Sequence, residues 1–125
     1  MVGGNLTVMA HLCGAMAPDF AKGCILFMED VNEAPYRIDR CLVQLARTGV
    51  LHHVAGVVFG AFTDCPAGSD GVTVDEVLAD HFSDAPFPVA SGYPAAHGPR
   101  NRPFIHGGMA RLRVDRSDAS LDDRR

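Results

Sequence analysis

Two short runs of the chain are apolar at nearly every position, and they constrain the fold more than any other feature. Cys24–Glu29, which ends in a carboxylate, and Val54–Phe62 show no alternation of apolar and polar residues. Strands that are buried on both faces have this pattern. Between them, Tyr36–Thr48 has helical periodicity with one apolar stripe, and Gly49 supplies a stop. Strands that alternate with helices predict a small α/β domain.

Two further helices are marked by residues that cap their first turns. Asn5 follows two glycines that indicate a turn, and it is a favourable N-cap for a helix that runs to about Cys13. Thr73–Glu76 has the Thr-x-x-Glu spacing of a capping box, which satisfies the first N–H groups of a helix. The sequence therefore predicts helices at both places, with a loop at 64–72 before the second.

The last third of the chain predicts two more short strands and a loose end. Pro88–Ser91 and Ala110–Val114 have strand-like patterns. From Arg116 onward the chain is polar and charged, and Leu121 is the only residue suited to burial. We therefore expect a flexible polar tail at 117–125 that frays from the domain.

The composition argues against several classes of function. The 125 residues carry a net charge of −4, so the chain lacks the basic footprint of a nucleic-acid-binding protein. The longest apolar run is far shorter than a membrane span, and the first residues do not resemble a signal peptide. The four cysteines form no C-x-x-C pair, which favours reduced thiols over disulfides or zinc ligands. These features predict a cytoplasmic protein with neither membrane nor nucleic-acid partners.

Glu29 and His97 are the best candidates for chemistry. Glu29 ends a buried strand, where open α/β sheets place ligand sites, and strand alternation predicts that it and Asp30 point to opposite faces. The structural alternative is that Glu29 caps the next turn or pairs with Arg37 or Arg40. His97 lies in a loop rich in proline and glycine, which can hold an imidazole at the rim of a site. An ordinary surface histidine is the alternative for that position.

The two residues are more informative as a pair. A carboxylate that accepts a hydrogen bond from an imidazole fixes its tautomer and stabilises the imidazolium, as in a hydrolytic triad. Such a triad needs a hydroxyl or thiol nucleophile. No serine of this chain lies in a strand-to-helix elbow, and neither Ser91 nor Cys65 is followed by a helix that could activate it. The sequence therefore predicts an acid and a base without a nucleophile.

A metal centre is a distant alternative for the same region. Glu29, Asp64, His97 and His106 could converge in the folded chain. Their spacing does not match the short intervals of a preorganised zinc site. We therefore predict neither a metal nor another cofactor.

Four segments, in this order, carry a family resemblance. They are Gly-Gly-Asn-Leu at 3–6, the segment from Ile25 to Arg40, Gly-Val-Val-Phe-Gly-Ala-Phe-Thr-Asp at 56–64 and Pro-Ala-Ala-His-Gly-Pro-Arg-Asn at 94–101. Together they closely resemble the C-terminal domain of the LD-carboxypeptidase family, serine peptidases that include the microcin C self-immunity peptidases. The resemblance extends to about residue 115.

This resemblance implies a fold and a role. The fold would be a small domain of the swivelling β/β/α type, with helices and a mixed sheet, over residues 1–116. Glu29 and His97 would be the acid and the base of a Ser-His-Glu triad, and an N-terminal domain absent from this chain would supply the serine. The reaction would be hydrolysis of the L,D amide of murein tetrapeptide in peptidoglycan recycling. The murein peptide and the N-terminal domain would be the partners, and this chain alone would be inactive.

Two departures from the family pattern leave alternatives open. Ala96 stands where the family usually has glycine, and residues 102–108 differ from the family's Leu-Pro-x-Gly pattern. The first alternative is a domain of a microcin C-type immunity peptidase. The second is a non-catalytic domain that self-associates, since a surface without its partner domain promotes homo-oligomers such as dimers.

Overall fold

Four parallel strands in chain order form the main sheet of the protein. The computed structural model describes residues 1–124 and the side chains of residues 1–122. The elements are β1 (Val2–Asn5), α1 (Leu6–Leu12), β2 (Ile25–Val31), α2 (Pro35–Arg47), β3 (Gly56–Thr63), α3 (Val74–Phe82), β4 (Val89–Ala90), β5 (Met109–Val114) and β6 (Ala119–Arg124), with a turn of 3₁₀ helix at Val50–His52. The strand order in the main sheet is β1-β2-β3-β4, and β5 and β6 form a separate antiparallel hairpin.

The domain has three layers. Each helix returns the chain to the next parallel strand, and right-handed crossovers place the three helices on one face of the sheet. Along β2, Leu26 and Met28 pack against the helices, whereas Ile25 and Phe27 pack against the hairpin and the loop before it. The sheet is therefore buried on both faces, as its apolar runs predicted. No helix among residues 1–124 is long and apolar enough to cross a membrane.

The α/β class and its helices are confirmed. The predicted apolar stripe of α2 buries Ile38, Leu42 and Leu45 completely. The capping box of α3 is present, since Thr73 N–H donates to Glu76 Oε2 at 2.8 Å and Glu76 N–H donates to Thr73 Oγ1 at 3.2 Å. The hydrogen bond from Thr73 N–H lowers the pKa of the Glu76 carboxyl, because it stabilises the charged form. The helical layer, the sheet and the hairpin match the predicted β/β/α arrangement.

The glycines near the start of the chain belong to a strand, so the predicted turn at Gly3 and Gly4 was wrong. β1 pairs with β2 in parallel, with Gly3 opposite Phe27 and Asn5 opposite Glu29. Gly3 has φ +129°, and a Cβ there would overlap the Phe27 carbonyl oxygen. The glycine is needed because the two strands approach closely. In the sequence, a glycine with this role cannot be distinguished from a glycine that forms a turn. The predicted cap was right, because Asn5 accepts a hydrogen bond from Val8 N–H at 2.9 Å.

The polar tail is ordered, so the predicted fraying at 117–125 was wrong for residues 119–124. These residues form β6, which pairs with the whole of β5, and Leu121 lies opposite Leu112. Both leucines pack against the cluster on the hairpin face of the sheet. The ladder with β5 supplies the backbone partners that a polar segment cannot supply for itself. Arg125 lies outside the described residues.

Truncating the Leu121 side chain tests whether the hairpin of β5 and β6 packs against the sheet. We expect Leu121→Ala to lower the free energy of unfolding by about 1–2 kcal/mol, since a half-buried leucine loses less than a fully buried one. Urea denaturation monitored by circular dichroism measures the change. Ser120→Ala, at an exposed position of the same strand, is the control and should change it by less than about 0.5 kcal/mol. If the tail were frayed, Leu121→Ala and Ser120→Ala would change the free energy of unfolding by the same small amount.

The four cysteines are unpaired and half-buried, in agreement with the predicted thiols. Burial raises the pKa of the Cys41 thiol and of the Cys65 thiol. Both thiols therefore stay neutral near pH 7, and a neutral thiol is a poor nucleophile. Cys65 has a structural contact as well, because its sulfur accepts a hydrogen bond from Glu33 N–H at 3.4 Å.

Candidate active site

Glu29 lies near the carboxyl end of β2, on the face that packs against the hairpin side of the domain. Strand alternation places it on the same side as Ile25 and Phe27. Its side chain is only 7% exposed. The adjacent Asp30 points to the helical face instead, where it binds Thr7 of α1, so the predicted opposite orientation of the two acids is confirmed.

The loop that carries His97 is held against β3 by backbone hydrogen bonds. Tyr93 N–H donates to the Phe59 carbonyl at 3.1 Å, and Ala61 N–H donates to the Ala95 carbonyl at 3.4 Å. The loop therefore extends the sheet beyond the short strand β4 before it turns away. His97 follows two residues after Ala95, so its position depends on this attachment.

A glycine makes that close attachment possible. Gly60 lies under the loop, and a Cβ at this position would overlap the Ala95 carbonyl oxygen. The same atom would lie 2.8 Å from the ring of Phe27, which is too close for any real contact. The apolar run of β3 did not mark Gly60 as a site residue. The available signal was a glycine within a buried strand, which indicates close approach of another backbone.

Glu29 and His97 meet in a hydrogen bond. His97 Nδ1 lies 2.8 Å from Glu29 Oε2. An ionised carboxylate only accepts, so Nδ1 carries the proton and Nε2 is left with a lone pair, a tautomer assigned from the partner. The imidazole is 55% exposed, whereas the carboxylate is almost fully covered. The arrangement is that of a buried acid orienting a base that is accessible to a reactant.

The pair lies in an open cleft of about 460 Å³. Its walls come from β2 and from the loop on either side of His97, and they include Phe27, Ala95, Ala96, Gly98, Asn101, Arg102, Pro103 and Phe104. A volume of this size accommodates a small peptide end rather than a folded partner. Among these lining residues, none is a serine, threonine or cysteine.

The two nucleophile candidates of the sequence lie elsewhere. Ser91 lines two smaller cavities on the β4 side of the sheet and does not line the cleft. Cys65 donates its thiol hydrogen to the Thr63 carbonyl at 3.3 Å and also lies outside the cleft. The structure therefore brings together the predicted acid and base, and it brings neither candidate nucleophile to them.

The salt bridges of the described residues do not include the predicted pairing of Glu29 with Arg37 or Arg40. Arg37, one of the two predicted partners of Glu29, instead approaches Glu33, at 3.6 Å. His106, a candidate metal ligand, accepts a weak hydrogen bond from Gly3 N–H at 3.4 Å. Within the described part of the chain, no three His, Cys, Asp or Glu residues form a cluster suited to a metal ion.

The chain matches a known family over most of its length. Residues 1–112 match the family described as the LD-carboxypeptidase C-terminal domain. The chain belongs to this family. The match covers the parallel sheet, its three helices, the loop with His97 and most of β5.

Curated relatives of this LD-carboxypeptidase C-terminal domain are carboxypeptidases by name. A putative carboxypeptidase of Synechocystis is 43% identical over 97% of this chain and 41% of its own length. The murein tetrapeptide carboxypeptidase of Pseudomonas aeruginosa is 32% identical over 93% of this chain and 38% of its own length. The chain thus spans about two fifths of the length of these relatives.

Two solved structures share the fold. The muramoyltetrapeptide carboxypeptidase of Oxalobacter formigenes matches 98% of this chain and 44% of its own, with a TM-score of 0.85 and 35% identity. The microcin C7 self-immunity protein MccF, in complex with glutamyl sulfamoyl guanosine, matches 77% of this chain and 29% of its own. Its TM-score is 0.62 and its identity 27%.

Proposed function

We propose that this domain supplies the acid and the base of a serine-type carboxypeptidase, with Glu29 and His97 in those roles. The observation that supports this is the 2.8 Å hydrogen bond between His97 Nδ1 and Glu29 Oε2 in an open cleft. The nucleophilic serine would come from an N-terminal domain outside this chain. That division accounts for a cleft whose lining residues hold an acid and a base but no hydroxyl or thiol.

The chemistry follows from the two ring nitrogens of His97, since Nδ1 is bonded to Glu29 and Nε2 can act as the base. His97 Nε2 accepts the proton of the serine hydroxyl as the oxygen attacks the amide carbonyl, and the imidazolium then protonates the departing amine. Glu29 stabilises the imidazolium during both steps. Because the Glu29 side chain is only 7% exposed, water screens this attraction weakly. The exposed imidazole can meet a serine that approaches from another domain.

The substrate we propose is murein tetrapeptide, cut at its L,D amide to release a terminal D-amino acid during peptidoglycan recycling in the cytoplasm. Two named carboxypeptidases that act on tetrapeptides support this choice, at 32% and 35% identity. The microcin C-type alternative has support from the fold of MccF, at 27% identity and a lower TM-score. The murein reaction is therefore preferred.

Reconstitution of a split enzyme tests the proposal. The chain is mixed with the N-terminal domain of the Pseudomonas relative, and a covalent fusion of the two is made as a second sample. We expect release of the D-amino acid from murein tetrapeptide by the mixture or the fusion and none by either domain alone. Loss of the nucleophile alone lowers kcat by about 10⁶-fold in a well-studied serine protease, so the isolated chain should show no measurable hydrolysis.

Each alternative predicts another result in the same assay. Hydrolysis by the isolated chain would contradict the split site, and Ser91 and Cys65 would then be tested first. A folded fusion that does not cleave murein tetrapeptide but cleaves an aminoacyl sulfamoyl nucleoside would favour the microcin C-type function. A fusion that cleaves neither substrate would contradict the catalytic proposal.

Self-association stays a separate prediction for this chain. On α1, Val8 is 56% exposed and Leu12 is 41% exposed, and they lie one helical turn apart. Exposed apolar pairs of this kind favour association with another surface. Size-exclusion chromatography at several concentrations distinguishes a dimer from a monomer, and a monomer at every concentration would contradict the non-catalytic, self-associating alternative.

A further inference from the structure

Asp30 is the most deeply buried charged side chain in the described part of the molecule. Counted over the whole residue, Asp30 is 2% exposed and Glu29 is 5% exposed, and the two side chains point to opposite faces of β2. A carboxylate taken out of water is costly unless hydrogen bonds replace its hydration. Asp30 therefore needs a set of donors, and the catalytic proposal gives this residue no part.

The Asp30 carboxylate accepts four hydrogen bonds. Oδ1 accepts from Asn5 Nδ2 at 2.8 Å and from Val31 N–H at 2.9 Å. Oδ2 accepts from Thr7 N–H at 2.9 Å and from the Thr7 hydroxyl at 2.7 Å. These donors belong to the end of β1, the first turn of α1 and the end of β2. One side chain thus ties three elements together beside the candidate site.

The ladder between β2 and β3 is irregular at this point. Met28 lies opposite Phe59, whereas Asp30 lies opposite Phe62, so β3 has one more residue than β2 in this interval. Glu29 lies between the two regular pairs. A bulge of this kind re-aims side chains, and it leaves the local backbone less constrained by the ladder. The ladder with β3 resumes at Asp30 and Val31, and Asn5 of β1 lies opposite Glu29, so contacts of the Asp30 side chain add to these backbone constraints.

We propose that Asp30 is a positioning residue for the Glu29–His97 pair. Its four hydrogen bonds fix the backbone of residues 29–31 against β1 and α1, and this holds the Glu29 carboxylate on the opposite face within reach of His97. The inference rests on the proposed function for its catalytic meaning. Its geometric part is that the hydrogen bond between Glu29 and His97 depends on Asp30. This dependence can be measured in the isolated chain without an activity assay.

Asparagine is a strict test because it preserves the shape of the side chain, while it replaces one acceptor oxygen by an NH₂ donor and removes the charge. Each Asp30 oxygen accepts two hydrogen bonds, so an amide NH₂ in either position would face two donors. Asp30→Asn should therefore rotate the end of β2. Thr7→Val is a milder change, since it removes the hydroxyl donor and retains the backbone donor. Thr7→Ser retains both and serves as the matched control.

The experiment reads the tautomer of His97 by ¹⁵N NMR of the chain itself. We expect the wild type to show the Nδ1–H tautomer, with a downfield proton from the hydrogen bond to Glu29. Asp30→Asn should abolish that signal, Thr7→Val should weaken it, and Thr7→Ser should leave it unchanged. Leu42→Ala, a buried change in α2 away from the cleft, controls for lost stability and should leave the signal unchanged.

Two results would overturn the inference. One is a wild-type His97 signal in a folded Asp30→Asn chain. The other is an equal loss in Leu42→Ala, which would assign the effect to general destabilisation. If Asp30→Asn does not fold, Thr7→Val alone decides. In the fusion enzyme, Thr7→Val should lower kcat with little change in KM, and failure of the catalytic proposal would appear separately as full activity of Glu29→Gln.

Discussion

Glu29→Gln should lower kcat of the assembled enzyme by about 10⁴-fold, the loss known for the same acid-to-amide change in a serine protease triad. Glutamine has nearly the same shape, so it can still fill the covered position behind His97. It carries no charge, however, and cannot stabilise the imidazolium that forms in the reaction. Its NH₂ group can also face Nδ1 and select the wrong tautomer. KM should change little, because the carboxylate is only 7% exposed and is directed to His97.

The measurement is the initial rate of D-amino acid release by the fusion enzyme, with circular dichroism to verify folding. Asp64→Asn is the matched control, since Asp64 is an exposed acid at the end of the next strand and asparagine tolerates its φ of +52°. His97→Gln should cost at least as much as Glu29→Gln, and the double variant should lose little more, because the pair acts as a unit. Turnover near the wild-type rate in Glu29→Gln would remove Glu29 from the mechanism.

The elements that the sequence predicted well are those with local signals. The stripe of α2, with Ile38, Leu42 and Leu45 on one face, is visible as a period within thirteen residues. The capping box from Thr73 to Glu76 needs only four residues to be recognised. Both features depend on neighbours along the chain, so tertiary context did not override them.

The features that the sequence missed depend on partners outside the segment itself. β6 is polar and becomes a strand because β5 offers it a ladder. β1 resembles a turn because Gly3 is needed where Phe27 comes close. Periodicity within a segment carries no information about which backbone will lie beside it.

The Glu29–His97 pair was predicted by a different route. Strand alternation separated Glu29 from Asp30, but Glu29 and His97 are 68 positions apart in the sequence and no spacing rule joins them. The resemblance to a family made that connection, and the structure brings the two side chains to hydrogen-bonding distance. The roles of Gly60 and Asp30 were not predicted, because each acts through backbone contacts that only the folded chain reveals.

Gly60→Ala should damage both the fold and the pair, even though it adds one methyl group. The methyl would overlap the Ala95 carbonyl oxygen and approach the Phe27 ring at 2.8 Å. Backbone cannot yield as the end of a flexible side chain can, so the loop must move away from β3. Overpacking of this kind costs about 1–3 kcal/mol, and we expect the upper part of that range. The loop carries His97 with it, so the hydrogen bond to Glu29 should be lost in the folded fraction.

Gly4→Ala is the matched control for this change, because a Cβ at Gly4, in the edge strand β1, meets no atom within 4 Å. Urea denaturation should separate the two variants by more than about 1 kcal/mol, and Gly4→Ala should retain the His97 Nδ1–H signal. In the fusion enzyme a displacement of about 1 Å at the base should cost about 10²-fold in kcat. If Gly60→Ala matched Gly4→Ala in stability, in the His97 signal and in rate, the attachment of the loop to β3 would not be what positions the base.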